Sequence, residues 1–85
     1  MVPTVDIRPD ERGGRYLLSL SANDRPGLLY GIARVMSRFR VNLISARIMT
    51  LGERVEDVLV VQGGAVDQPR AVLDFESALL EALQT

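Results

Sequence analysis

The sequence contains neither cysteine nor histidine, and all ten of its basic residues are arginine. It therefore has no disulfides, no thiolate nucleophile, no common zinc site and no histidine acid–base catalysis. The remaining acid–base groups are carboxylates and two tyrosines, and no pair of carboxylates falls in one predicted pocket. A catalytic domain is disfavoured, and we expect no cofactor in this domain.

Long apolar runs and an excess of one charge are also missing. No apolar run approaches the roughly 20 residues that span a bilayer. The net charge of −1 gives no general attraction to nucleic acid or to an anionic membrane. Met1 leads into Pro3, Asp6 and Arg8, which is neither a signal peptide nor a transit peptide. We expect a cytoplasmic location, with no nucleic-acid partner and no membrane partner.

The length sets the number of domains. The 85 residues allow a single domain, since a second would lack a core of its own. A chain of this size buries only about 60–65% of its unfolded surface, so we expect it to gain stability from a partner or a neighbouring domain. The apolar content of 47% and the charged content of 25% are typical of an ordinary soluble protein.

Four segments have the pattern of β-strands. Residues 4–8 and 16–22 alternate around a polar turn and predict a hairpin. Residues 42–51 also alternate, with Ile44, Ala46 and Ile48 on one side, and together with residues 55–62 they predict a second hairpin. Residues 58–61 are apolar without alternation, which predicts a central strand covered on both faces.

Two segments have helical periodicity. Residues 26–40 place their apolar side chains on one stripe, and a second helix follows the start signals Asp67 and Pro69. The predicted inner faces consist of Leu28, Leu29, Ile32, Val35, Met36 and Phe39 in the first helix, and of Val72, Phe75, Leu79 and Leu83 in the second.

The order of elements predicts an α+β, ferredoxin-like fold. Without the first strand, the chain reads β-α-β-β-α, the split β-α-β arrangement lacking its last strand. The strand 55–62 then lies between the strands 16–22 and 42–51. The N-terminal strand occupies the sheet edge where the missing last strand would otherwise lie. Both helices cover one face of the antiparallel sheet. We expect the apolar second face, or an edge strand, to be buried against a second copy or a sister domain.

The loop 23–29 is the candidate binding segment. Asp24 is placed as an N-cap, and Pro26 needs no N–H partner in a first helical turn. Gly27 has no Cβ, so a small molecule can approach the backbone, where unpaired N–H groups attract a carboxylate. We predict that the loop holds the carboxylate of a small ligand that the domain senses. Asp24 is either a ligand contact or only a helix cap.

The charged residues of the second hairpin have two interpretations. Glu53, Arg54, Glu56 and Asp57 resemble a metal-binding cluster, but the arginine among them favours surface ion pairs. Arg47 is placed to face Glu56 or Asp57 across the hairpin.

Three segments in this element order resemble the ACT domain, a small regulatory fold that binds amino acids in metabolic enzymes. They are residues 24–29 (Asp-Arg-Pro-Gly-Leu-Leu), 41–43 (Val-Asn-Leu) and 55–60 (Val-Glu-Asp-Val-Leu-Val), and the match covers residues 16–83. A further segment, residues 45–57 (Ser-Ala-Arg-Ile-Met-Thr-Leu-Gly-Glu-Arg-Val-Glu-Asp), is similar to a hairpin in the last ACT domain of bacterial PII uridylyltransferase/uridylyl-removing enzymes.

That resemblance carries functional expectations. Such an enzyme attaches UMP to the nitrogen regulatory protein PII and removes it again, under the control of glutamine. The resemblance implies that this chain is the C-terminal, glutamine-sensing ACT domain, ending shortly after its second helix. It implies Mg²⁺ and PII for the parent enzyme, and a second ACT domain or a second copy as the partner of this domain.

The resemblance also implies an effector site between two ACT domains. The contacts are Ala22, Asn23, Asp24, Arg25, Pro26, Gly27 and Leu28 from one domain, and Asn42, Leu43 and Ile44 from its partner. The Gly27 and Leu28 N–H groups suit an α-carboxylate, Asp24 suits an α-ammonium, and Asn42 suits a side-chain amide. Arg25 is either solvated or in contact with the partner, and Asn42 is alternatively only a turn residue.

Other functions stay open. The domain is alternatively a structural dimerisation module or an ACT domain of another amino-acid-regulated enzyme. An RNA-binding sheet needs exposed aromatic residues and a basic face. It is disfavoured because Tyr16, Phe39 and Phe75 are predicted to lie inside.

Overall fold

Two β-hairpins and two helices follow one another in the predicted order. The computed structural model describes residues 2–84. Its strands are β1 (Thr4–Pro9), β2 (Tyr16–Asn23), β3 (Asn42–Leu51) and β4 (Arg54–Gln62), and its helices are α1 (Leu28–Arg38) and α2 (Pro69–Gln84). A short 3₁₀ turn that the sequence did not predict, Gly64–Asp67, joins β4 to α2.

The four strands form one antiparallel sheet in the order β1-β2-β4-β3. Strand β4 lies between β2 and β3, and β1 pairs with β2 at the edge where a last strand would otherwise lie. The α+β, ferredoxin-like arrangement with an N-terminal strand in place of the last one is therefore confirmed.

Alternate residues of β2 and β4 face the helices and form the core, so both helices cover one face as predicted. Leu18, Val61, Phe75 and Leu79 are fully buried. The ring centroids of Phe39 and Phe75 lie 5.5 Å apart, a favourable distance for an aromatic pair. The other buried apolar residues are Leu20, Ala22, Leu28, Ile32, Val35, Met36, Val41, Val55, Leu59, Ala65, Val66, Ala78 and Leu83.

Helix α1 is shorter than predicted, spanning Leu28–Arg38 rather than 26–40. Gly27 occupies the N-cap position with a left-handed φ of 81°, and no side chain caps the helix. The predicted capping role of Asp24 is wrong because Asp24 precedes the cap by a full turn, and Pro26 belongs to that turn. The predicted core position of Leu29 is also wrong. Its side chain is 52% exposed because it lies beside the buried stripe.

Strand β3 forms a sheet edge that no other described element covers. All ten of its residues are exposed. A register shift between Leu43 and Ser45 marks a bulge at Ile44, which interrupts the predicted alternation there. From Ser45 onward, the predicted alternation is confirmed.

Strand β4 is central, as its apolar run predicts, but its second face is not covered within this chain. Val58 is exposed and Val60 is half-buried on the side away from the helices. The expectation of cover on both faces is wrong for the single chain, because both helices pack on the same side.

The end of α1 and the start of the 3₁₀ turn approach closely. The Ala65 N–H donates to the Phe39 carbonyl oxygen at 3.1 Å. A Cβ on Gly64 would collide with the carbonyl oxygens of Phe39 and Arg40, and Gly64 has a left-handed φ of 56°. Glycine is therefore required at this contact.

Candidate functional site

The loop between β2 and α1 is fixed to the tip of the β3–β4 hairpin. The Asp24 N–H donates to the Glu53 carbonyl oxygen at 2.7 Å, and the Leu28 N–H closes a turn on the Arg25 carbonyl oxygen at 3.3 Å. No heavy atom lies within 4 Å of the place where a Cβ on Gly27 would stand. The backbone is therefore open to a ligand at Gly27.

The first turn of α1 has free backbone donors. The Gly31 N–H donates to the Gly27 carbonyl oxygen at 3.0 Å, whereas the Leu29 and Tyr30 N–H groups have no backbone acceptor within residues 2–84. Such groups carry partial positive charge at a helix start. Because the Leu28 N–H is engaged in the turn, the Leu29 and Tyr30 N–H groups are better placed than Leu28 to bind a carboxylate.

A pocket of about 440 Å³ opens between the start of α1 and the edge strand β3. Its size lies within the range of roughly 300–1,000 Å³ found for small-molecule sites. Its lining combines predicted site residues with apolar and polar side chains of α1, β3 and β4: Asp24, Arg25, Gly27, Leu28, Leu29, Tyr30, Ile48, Thr50, Val55 and Asp57. Two carboxylates, those of Asp24 and Asp57, share this pocket, so the prediction that no pair of carboxylates falls in one pocket is wrong.

Three predicted contacts from the same loop are not among the residues that line this pocket. Ala22 is buried in the core. Asn23 is exposed at the end of β2, and Pro26 is exposed in the turn before α1.

Asp57 lines this pocket from the central strand β4, and its location was not predicted. It is 2% exposed, and its Oδ1 has no hydrogen-bond partner among the described residues. Burial raises the pKa of the Asp57 carboxyl above its ordinary value of 3.8, and the negative charge of Asp24 raises it further. The sequence held a signal for this placement, because Val55, Asp57 and Leu59 share one strand face at period two.

Several predicted charge contacts of the second hairpin are wrong. Asp57 is not at the surface, and Arg47 lies opposite Val58 rather than opposite either acid. One exposed ion pair of the predicted kind is present, between Arg54 Nη2 and Glu56 Oε1 at 3.4 Å.

Arg25 connects the binding loop to the second helix. Its Nη2 donates to the Ala82 carbonyl oxygen near the end of α2, and the residue is half-buried. A solvated Arg25 is therefore excluded. The side chain holds the loop against α2 while also lining the pocket.

The second half of the implied site lies at the other end of the sheet. Asn23 pairs with Arg54 at the start of β4, whereas Asn42 pairs with Gln62 at its end. The nine residues of β4 separate these ends by about 26 Å. Within one chain the structure does not bring Asn42 to the loop, so a site combining them requires a second domain.

Two searches of the described residues concern metal clusters and membrane-spanning helices. No group of three or more Asp, Glu, His or Cys residues that could hold a metal occurs within residues 2–84. Neither α1 nor α2 is long and apolar enough to cross a membrane.

Sequence comparison finds a set of bacterial relatives, although no family model matches the chain. The bifunctional uridylyltransferase/uridylyl-removing enzyme of Ralstonia nicotianae is 62% identical over 82 residues, 95% of this chain. That of Cupriavidus metallidurans is 61% identical over 83 residues, and that of Bordetella pertussis is 53% identical over 83 residues, 98% of this chain. The chain spans only 10% of the length of each relative.

Solved structures share the fold at lower identity. A proposed glycine cleavage system transcriptional repressor superposes with a TM-score of 0.64 at 21% identity, covering 82% of this chain and 38% of that one. A protein from Galdieria sulphuraria also superposes with a TM-score of 0.64, at 24% identity. The match covers 78% of this chain and 39% of that one. The chain thus has an ACT-like fold and is homologous to a part of the bifunctional uridylyltransferase/uridylyl-removing enzymes.

Proposed function

We propose that this chain is the C-terminal ACT domain of a cytoplasmic uridylyltransferase/uridylyl-removing enzyme and that it senses glutamine. The domain itself is regulatory; uridylylation of PII, with its Mg²⁺, belongs to the rest of the parent enzyme. The observation that carries the proposal is the open backbone at Gly27, beside free N–H groups and a pocket of suitable size.

The exposed edge strand β3 supports the proposal that a partner domain takes part in this function. Strand β3 is exposed along its whole length, including Leu43 and Ile44 at the start. Asn42 and these two residues are too far from the loop of their own chain. A second ACT domain, or a second copy, supplies them to the loop and completes the effector site.

The energetic requirement for regulation is small. A ligand that binds one arrangement of two domains tenfold better than another shifts their equilibrium by about 1.4 kcal/mol. Glutamine bound between two ACT domains thereby biases the arrangement of the catalytic domains linked to them.

A thermal-shift panel of the twenty amino acids tests the proposal, because a ligand that binds only the folded state raises the Tm with concentration. We expect glutamine to raise the Tm. Gly27→Ala should abolish the shift, since it places a methyl group at the pocket wall. Gly13→Ala is the matched control: Gly13 has a similar φ of 76°, equally open surroundings and a position outside the pocket.

The absence of any glutamine shift, in this chain and in the full-length enzyme, would contradict glutamine sensing. A Tm shift with a different amino acid would mean that this amino acid, rather than glutamine, is the effector bound at the same site. A glutamine shift that Gly27→Ala and Gly13→Ala reduce equally would place the ligand elsewhere.

A structural dimerisation module is the second candidate, favoured by the same exposed strand β3. Sedimentation of the chain with and without amino acids distinguishes the two. A dimer whose stability no amino acid changes supports the structural role, whereas ligand-dependent association supports sensing.

A further inference from the structure

We propose that Asp57 is the ammonium-binding residue of the pocket between α1 and β3, a role that residue chemistry predicted for Asp24. The inference rests on the proposed function only for the identity of the ligand. The pocket and its buried carboxylate belong to a single chain.

The first observation is the state of the Asp57 side chain. It lies on the inner face of the central strand, is 2% exposed and lines the pocket. Its Oδ1 has no hydrogen-bond partner among the described residues. A buried acceptor without a donor is costly in a folded protein, so a donor that enters the pocket relieves that cost.

The second observation is the composition of the surrounding walls. Leu29, Tyr30 and Ile48 give the pocket an apolar surface, and Asp24 adds a second carboxylate near Asp57. Arg25, the basic residue of the lining, is engaged with the Ala82 carbonyl oxygen. The two carboxylates favour a ligand group that has positive charge and N–H donors. A primary ammonium on an apolar stem provides both and also matches the apolar walls.

The third observation is the distribution of charge between the two ends of the pocket. Free N–H groups of Leu29 and Tyr30 mark the end at the helix start, and Asp57 marks the wall formed by β4. A zwitterion matches both: its carboxylate binds the amides and its ammonium binds Asp57. Asp24, which is exposed, contributes charge at the rim.

Calorimetry with three probes and three proteins tests the assignment. The probes are glutamine, 4-aminobutanamide, which keeps the ammonium but lacks the carboxylate, and 4-carbamoylbutanoate, which keeps the carboxylate but lacks the ammonium. The proteins are the wild type, Asp57→Asn and Asp74→Asn. Asp74 is exposed on α2 outside the pocket and controls for the loss of one negative charge.

We expect Asp57→Asn to weaken the binding of both amines, glutamine and 4-aminobutanamide, by roughly ten- to a hundredfold. This is the effect of losing a hydrogen bond between charged groups. Binding of 4-carbamoylbutanoate should not change, and Asp74→Asn should behave as wild type. Equal binding of the amines to wild type and Asp57→Asn overturns the inference and leaves glutamine sensing intact. Asp57-dependent binding of 4-aminobutanamide without glutamine binding supports the inference, and it contradicts glutamine sensing if the full-length enzyme does not bind glutamine either. Failure of both amines to bind the wild type overturns the inference.

A measurement on the wild type avoids dependence on the folding of Asp57→Asn. Carbon-13 NMR titration of the carboxyl groups follows Asp57, Asp24 and the other acids separately. We expect 4-aminobutanamide to lower the pKa of Asp57, since an ammonium beside it favours the charged form, and to leave exposed Asp74 unchanged. An unchanged Asp57 titration at saturating amine overturns the assignment.

Discussion

The two flanks of the sheet differ in how their apolar residues are used. On the packed flank, formed by β1, β2 and α2, Leu18, Phe75 and Leu79 are completely buried. On the open flank, formed by β3 and the first turn of α1, Leu29 and Ile48 are about half exposed and Tyr30 is 69% exposed. Similar residues thus stabilise the fold on one flank and remain exposed on the other.

This difference follows from the way in which the two helices cover the sheet. Both helices pack on one face of the sheet, and all ten residues of the edge strand β3 remain exposed on both sides. The pocket forms at this boundary, between the start of α1 and the exposed strand β3. The pocket is therefore a consequence of the incomplete cover of the sheet.

The largest expected contrast is between one core leucine and one edge isoleucine. Leu79→Ala should lower the free energy of unfolding by about 2–5 kcal/mol, because it empties a fully buried position. Ile48→Ala should cost about 0.5 kcal/mol or less in the single chain. Urea unfolding monitored by circular dichroism measures both. A cost for Ile48→Ala close to that of Leu79→Ala would show that the open flank is buried in the folded species.

A smaller contrast compares two glycines with positive φ. Gly64→Ala should destabilise the fold by about 2 kcal/mol or more, since the new methyl group collides with two carbonyl oxygens. Gly27→Ala should cost about 1 kcal/mol, from the left-handed backbone alone, because its surroundings are open. Thermal unfolding of the two variants measures the difference. Equal losses would mean that Gly27 is covered as closely as Gly64.

The pH dependence of stability tests the environment of Asp57. Its pKa is raised in the folded state, so the native chain binds more protons than the unfolded chain between the ordinary pKa and the folded one. Stability from this group is therefore lost as pH rises through that window. The difference in unfolding free energy between wild type and Asp57→Asn should favour the wild type more as pH falls toward 4. A difference that is independent of pH would contradict the raised pKa.

The smallest effect concerns the exposed ion pair at the hairpin. Glu56→Gln removes the charge partner of Arg54 and should cost at most about 1 kcal/mol. Raising the salt concentration should remove most of that difference, because exposed charges are screened. A larger, salt-independent loss would indicate that this face of the hairpin is buried.

Regular periodicity made most of the fold predictable. Alternation identified β1, β2 and β3, the helical stripe identified α1, and the apolar run 58–61 placed β4 at the centre. The errors fall where backbone geometry overrides residue type. Gly27 in a left-handed conformation displaces Asp24 from the cap, and the bulge at Ile44 interrupts the alternation.

The candidate site was predictable only in part. The loop followed from its glycine and proline chemistry, and Asp24, Arg25, Gly27 and Leu28 do line the pocket. Asp57 was assigned to the surface because its charged neighbours favour ion pairs, although its strand period places it inside. The part played by Asn42, Leu43 and Ile44 stays a prediction, since it depends on a second domain.

The proposed function requires the open start of α1 to bind a free amino acid. Titration of the nitrogen-15-labelled chain with glutamine, followed by amide chemical shifts, tests it most directly. We expect saturable shifts that are largest at Gly27, Leu29 and Tyr30, with little change on the packed flank. An unchanged spectrum at millimolar glutamine, or shifts confined to residues far from the pocket, would contradict it.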